Sequence, residues 1–185
     1  MRLSKILGSV LGRSWVCGVL FAIAIILFGW IVPAGVADVT AQRTAAPKIL
    51  DEYIMTWTPP DARHFYEAIG ARGRVAYQLY YLHLDFWFPV LSLTLFYMSL
   101  LSLGFRTGTR WGWLNMTPLA MYACDAAENL NHFTMARTYP DLSDFSLVVG
   151  PWFTLAKWVL IFAIPAVAVV GLAGQLLARS GNGRS

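Results

Sequence analysis

Four stretches of the chain are apolar over lengths that suit a membrane crossing, and their polar residues gather at the ends or on one face. The pattern predicts helices over about 15–36, 78–103, 112–136 and 151–177. The fold class expected is all-α, a bundle of four transmembrane helices forming one membrane domain across 1–185. Residues 15–32 carry no charge, which suits an uncleaved anchor. A signal peptide competes for this stretch, because Val36-Ala37 after Pro33 resembles a small-residue cleavage site, so whether 1–37 is removed stays open.

The connector of about 37–77 is too long for a simple turn. Thr58-Pro59-Pro60-Asp61 reads as a helix start, with Thr58 as cap and proline in the first turn. Gly70 reads as the end of that short helix, and Phe65, Tyr66 and Ile69 give it an apolar side. In the second span, Pro89 crowds the carbonyl of residue 85, so Asp85 is expected beside a kink. Asp85, Ser92 and Ser99 recur every seven residues, which suggests a polar seam between helices. Thr117-Pro118 is expected to cap the third span, and Gly150-Pro151 to open the fourth.

The third apolar stretch contains the densest polar chemistry. With Asp125 at zero and about 100° per residue, Glu128 falls at about −60°, Asn129 at about +40° and His132 at about −20°. Small or apolar residues, including Leu130, occupy the rest of the circumference. Ionisable groups in hydrocarbon cost ~2.5–3.5 kcal/mol each on insertion scales, so this stripe requires partners, water or a ligand. Asp85 and His83 on the second span, Tyr81 beside them and Lys157 on the fourth are expected at similar depth.

Composition supports the membrane class: 57% of residues are hydrophobic, 13% are charged and eight are tryptophan, with a mean hydropathy of +0.55. The net charge of +4 does not point to nucleic acid, because the basic residues flank the apolar stretches. The N-terminal tail, the 104–111 loop and the C-terminal tail together hold seven Lys/Arg and no acid. The expected topology therefore puts both termini in the cytoplasm and makes the partly helical connector extracytoplasmic. Cys17 and Cys124 lie in apolar runs and read as buried thiols.

Four readings of the cluster stay open. The charges could simply hold the bundle together, with Lys157 paired to Glu128 or Asp125. They could form a binding pocket or active site for a lipid-like, amphipathic small molecule. Asp125 and Glu128 would then be the catalytic acid/base pair, and Asp85, Asn129, His132, Lys157 and Tyr81 would bind ligand. Asp125, Glu128, His132 and His83 are weak metal candidates, with haem between His83 and His132 as a variant. Ion or proton translocation is the fourth reading, and a single four-helix chain would need to oligomerise for it. Whether turnover occurs, and with which cofactor, is left open by the residues.

Gly70, Gly73, Arg74 and Tyr77, then Asp85 with Pro89, then Asp125, Glu128 and Asn129, then Tyr139-Pro140, and finally Lys157 form an ordered set. In this order the set resembles G-x-x-G-R-x-x-Y…D-x-x-x-P…D-x-x-E-N…Y-P…K of an uncharacterised group of bacterial four-helix integral membrane proteins, over roughly 58–165. The resemblance implies the same architecture, a bacterial cytoplasmic (inner) membrane location and a site at the motif residues, and it adds no reaction. The partners expected are the lipid bilayer and a lipid-like ligand, with an oligomer or larger membrane complex left open.

Overall fold

The computed structural model describes residues 9–41, 48–50, 53, 56–85, 87–106 and 108–182, and all regular structure among them is helical. The helices are α1 (Ser14–Thr40), α2 (Pro59–Leu79), α3 (Pro89–Gly104), α4 (Pro118–Thr138) and α5 (Asp144–Asn182). A π-helical segment, Tyr80–Asp85, follows α2, and a 3₁₀ turn, Gly112–Met116, precedes α4.

α1 and α5 are long and apolar enough to cross a membrane, over Ser14–Val39 and Asp144–Leu177. Their outward faces carry large apolar side chains, including Trp15, Trp30, Val170 and Leu177. α3 is a shorter apolar helix of 16 residues, about 24 Å at 1.5 Å per residue.

Local chemistry explains the helix ends. The Thr58 backbone N–H donates to Asp61 Oδ2 at 2.7 Å, and the Asp61 N–H donates to Thr58 Oγ1 at 3.4 Å, so α2 starts with the expected capping box. At Gly70 the backbone leaves the helix with φ 63°, a left-handed value suited to glycine, and the chain re-enters helix directly. The expected end at Gly70 is therefore a kink within α2.

The helix expected over 78–103 is broken. Pro89 has no N–H and crowds the carbonyl of Asp85, so the π segment stops there and α3 restarts at Pro89. The helix expected from 112 starts at Pro118. Thr117 does not cap it, because its hydroxyl donates back to Leu114 O at 2.8 Å. The helix expected from 151 begins a full turn and more earlier, at Asp144, where the Ser146 N–H donates to Ser143 Oγ at 3.1 Å and Asp144 lies in the first turn. Pro151 is then interior to α5.

α3 packs between α1 and α5, α4 packs along α5, and α2 leans on α1 and α4. Two apolar clusters result. At the connector end, Trp57, Phe65, Tyr66, Tyr77, Tyr80 and Tyr81 form an aromatic core with Met135 and Leu147. Toward the 104–111 loop, Tyr97, Leu101, Met121, Ile164 and Ala168 form the other. A Cβ on Gly104 would lie 3.1 Å from the Gly171 backbone, so α3 and α5 touch almost backbone to backbone there.

Candidate functional site

Between the two clusters lies a layer of buried polar side chains. α4 supplies Asp125, Glu128, Asn129 and His132, all buried on the face that the periodicity assigns to them, while Leu130 is 61% exposed. α5 supplies Lys157, whose Nζ lies 2.5 Å from Glu128 Oε2 and 3.6 Å from Asp125 Oδ1. One helical turn earlier on the same face, Thr154 donates to Glu128 Oε1. In turn, the Trp57 indole N–H donates to Thr154 Oγ1 at 3.0 Å. Trp57 reaches this position because α5 carries Gly150, where a Cβ would lie 2.6 Å from the Trp57 ring.

The break before α3 delivers Asp85 to the same layer. The Asn129 amide donates to Asp85 Oδ2 at 3.2 Å and to Asp125 Oδ2 at 3.0 Å, so one NH₂ group links two carboxylates. The Tyr80 hydroxyl donates to Asp85 Oδ1 at 3.4 Å. Asn129 Oδ1 is buried beside this pair and accepts no hydrogen bond. The expected polar seam is met in part, since both serines are buried and one of them bonds across to another segment. Ser92 donates to Pro89 O at 2.6 Å within its own helix, and Ser99 donates to Leu11 O at 2.5 Å.

His132 sits in a cage of rings. Tyr81, Tyr77 and Trp57 have ring centroids 5.4, 5.8 and 6.0 Å from the imidazole. Its Nδ1 faces the Tyr66 hydroxyl at 3.3 Å, and its Nε2 lies 3.7 Å from Glu128 Oε1. Burial pushes the Tyr66 phenol well above its ordinary range, so Tyr66 meets the imidazole as a neutral O–H. Tyr66 is held in turn by Arg74, which donates to Tyr66 O at 2.8 Å and stacks its guanidinium 4.5 Å from the Tyr139 ring centroid.

A cavity of about 310 Å³ opens beside this layer. Asp85, Asp125 and Lys157 form its polar end. Its apolar walls come from Phe28 and Val32 of α1, Val90 and Leu93 of α3, Met121 of α4, and Trp158 and Ile161 of α5. Glu128, Asn129, His132 and Tyr81 are absent from the lining; Glu128 lies behind Lys157, and Tyr81 belongs to the cage around His132. Every expected site residue with a described side chain is buried. The side chain of His83 lies outside the described residues. Among the described residues, no three His, Cys, Asp or Glu side chains converge as a metal-holding group. His132 is fully buried, with the Tyr66 hydroxyl at Nδ1 and Nε2 3.7 Å from Glu128.

Sequence reasoning missed Thr154, Trp57 and Tyr66 as members of this network. Thr154 carried the only usable signal, since it falls three residues before Lys157 and shares its helical face. Comparison with known protein families, curated proteins and solved structures finds no match to this chain.

Proposed function

We propose that this chain is a four-span membrane protein that binds a lipid-like, amphipathic small molecule in the cavity beside Asp125. α1, α3 with the preceding π segment, α4 and α5 would be the crossings, with both termini cytoplasmic and the site in the outer half of the bilayer. The four-helix bacterial group that the motif order resembles would be its family.

The supporting observation is the cavity itself, whose apolar walls from four helices end on Asp85, Asp125 and Lys157. Few polar groups at one end of an apolar pocket are what an amphipathic ligand requires, and about 310 Å³ lies at the small end of ligand-site volumes. α1 and α5 each pack on α3 and both line the pocket, which would be reached from lipid between these two crossings. Of the expected acid/base pair, Asp125 is in the cavity wall and Glu128 is engaged by Lys157 and Thr154. Asp125, which also lies 3.6 Å from Lys157, would be the member of the pair that exchanges a proton with a ligand.

The structural reading keeps a share of the cluster. Glu128, Lys157, Thr154 and His132 form a compact buried junction that suits bundle assembly, while Asp85 and Asp125 face the cavity. Lipid analysis of protein extracted from its native membrane, beside a Leu93→Trp variant that fills the cavity, separates the two readings. An amphipathic species retained by the parent and lost from a normally melting variant is expected. An identical lipid complement in both would overturn the proposal.

A further inference from the structure

We propose that Lys157 is a covalent ligand site, whose amine condenses with an amphipathic aldehyde held in the cavity to give a protonated imine. This chemistry depends on the amphipathic pocket proposed above and names the reactive group of its occupant.

Placement comes first. Lys157 lines the cavity and Glu128 does not, while Nζ lies 2.5 Å from Glu128 Oε2. Thr154 occupies Glu128 Oε1, so Oε2 is turned to the ammonium. Asp125 stands in the cavity wall, 3.6 Å from the same Nζ. One amine is thus held between a carboxylate outside the cavity and a carboxylate inside it. Val90, Leu93, Trp158 and Ile161 wall the same space, and Lys157 is 4% exposed. An amine in an apolar pocket, beside a group able to take its proton, is the setting in which lysine attacks carbonyls. Arginine would meet two carboxylates with more hydrogen bonds, but it stays charged and offers no nucleophilic lone pair.

Charge favours an imine over other products of a lysine. Acylation would leave a neutral amide and strand Glu128 in the interior. A protonated imine carries the same single positive charge as the ammonium, so the pair with Glu128 survives the reaction. The step also balances without a further reagent. Asp125 takes one proton from the ammonium, and the freed lone pair adds to the aldehyde carbon. A C–N bond forms, the C=O bond becomes C–OH, and a second nitrogen proton passes to that oxygen. Asp125 then returns its proton to the hydroxyl, which leaves as water while the nitrogen lone pair closes C=N. One ammonium and one aldehyde become one iminium and one water, with no net proton and nothing oxidised. Glu128 stays ionised behind the nitrogen throughout.

The probe is octanal, added to full-length protein in phosphatidylcholine nanodiscs, whose lipid has no primary amine. Saturating sodium cyanoborohydride reduces any iminium to a stable secondary amine. The lysines of the chain are Lys5, Lys48 and Lys157, so peptide mapping assigns the octyl label. An aldehyde held against the amine reacts as if intramolecularly, so Lys157 should be labelled at least about tenfold faster than the exposed Lys48. Lys157→Arg keeps the charge and should lose this label while still binding octanal by calorimetry. Asp125→Asn serves if that variant does not fold, and it should slow labelling of Lys157 by about a hundredfold. Labelling of Lys157 no faster than that of Lys48, with octanal still bound by the parent and not by Leu93→Trp, overturns the imine and leaves the pocket standing. If octanal binds the parent no better than Leu93→Trp, the pocket reading falls and takes the imine with it.

Discussion

Lys157 serves two buried carboxylates at once, and the cost of losing it is set by what it leaves behind. Removing its ammonium strands Glu128 and Asp125 without a strong cation, and breaking a buried pair this way costs ~3–5 kcal/mol. Lys157→Met should therefore melt far below the parent in detergent. Lys157→Met combined with Glu128→Leu should recover most of the loss, because two matched apolar groups leave less charge uncompensated. A double variant no more stable than the single one would show that the pair is not what Lys157 stabilises. Gly150 provides a second test. An alanine there would collide with Asn131 and crowd the Trp57 ring, at about 1–3 kcal/mol. Trp57→Leu in the same chain should relieve the part of that loss set by the ring while the Asn131 contact remains, and fully additive losses in thermal melts would refute the notch. Asp125, Glu128, Asn129 and His132 are legible from sequence because burial is costly and their spacing is helical. Trp57 and Tyr66 are not, because their own segments read as ordinary aromatic packing and only tertiary contact brings them to Thr154 and His132.

At the scale of elements, Arg74 ties the two halves of α2 across the Gly70 kink and also docks α2 on Tyr139. Arg74 stacks on Tyr139 at the end of α4 and donates to Tyr66 O, while Tyr66 reaches His132. A cation–π contact of ~0.5–1 kcal/mol and a charged hydrogen bond of ~1.5–3 kcal/mol meet on this residue. Arg74→Lys should not substitute, since an ammonium lacks the planar fork that does both. Amide exchange should then speed up through α2 while α5 keeps its protection; unchanged exchange in α2 would deny Arg74 this role. The start of α2 could be read from Thr58 and Asp61 because a capping box is local chemistry. The break before α3 was half legible: Pro89 announced a kink, but not that the preceding turn would widen into a π segment. The start of α5 was missed because Gly150-Pro151 looks like a helix opening, whereas Ser143 caps earlier and the helix carries the proline inside.

For the whole molecule, the proposed topology turns the aromatic core around His132 toward the extracytoplasmic side and the Gly104–Gly171 contact toward the cytoplasmic side. The argument is one of charge placement. Arg106 and Arg110 lie in the loop that follows α3, whereas Asp141 lies between α4 and α5 and Asp144 begins α5. Exposed tryptophans fit both ends, with Trp15, Trp111 and Trp113 at one and Trp87 and Trp152 at the other. Two single cysteines decide it, introduced into a chain whose Cys17 and Cys124 are replaced by alanine. Thr109→Cys and Asp141→Cys both fall at exposed positions. In intact cells a membrane-impermeant maleimide should label Asp141→Cys and leave Thr109→Cys untouched until the membrane is opened. The reverse pattern would invert the protein and move the cavity to the inner leaflet. Labelling of both in intact cells would mean that α3 and α4 do not place their shared loop across the membrane from the α4–α5 turn, and the four-span architecture would be wrong.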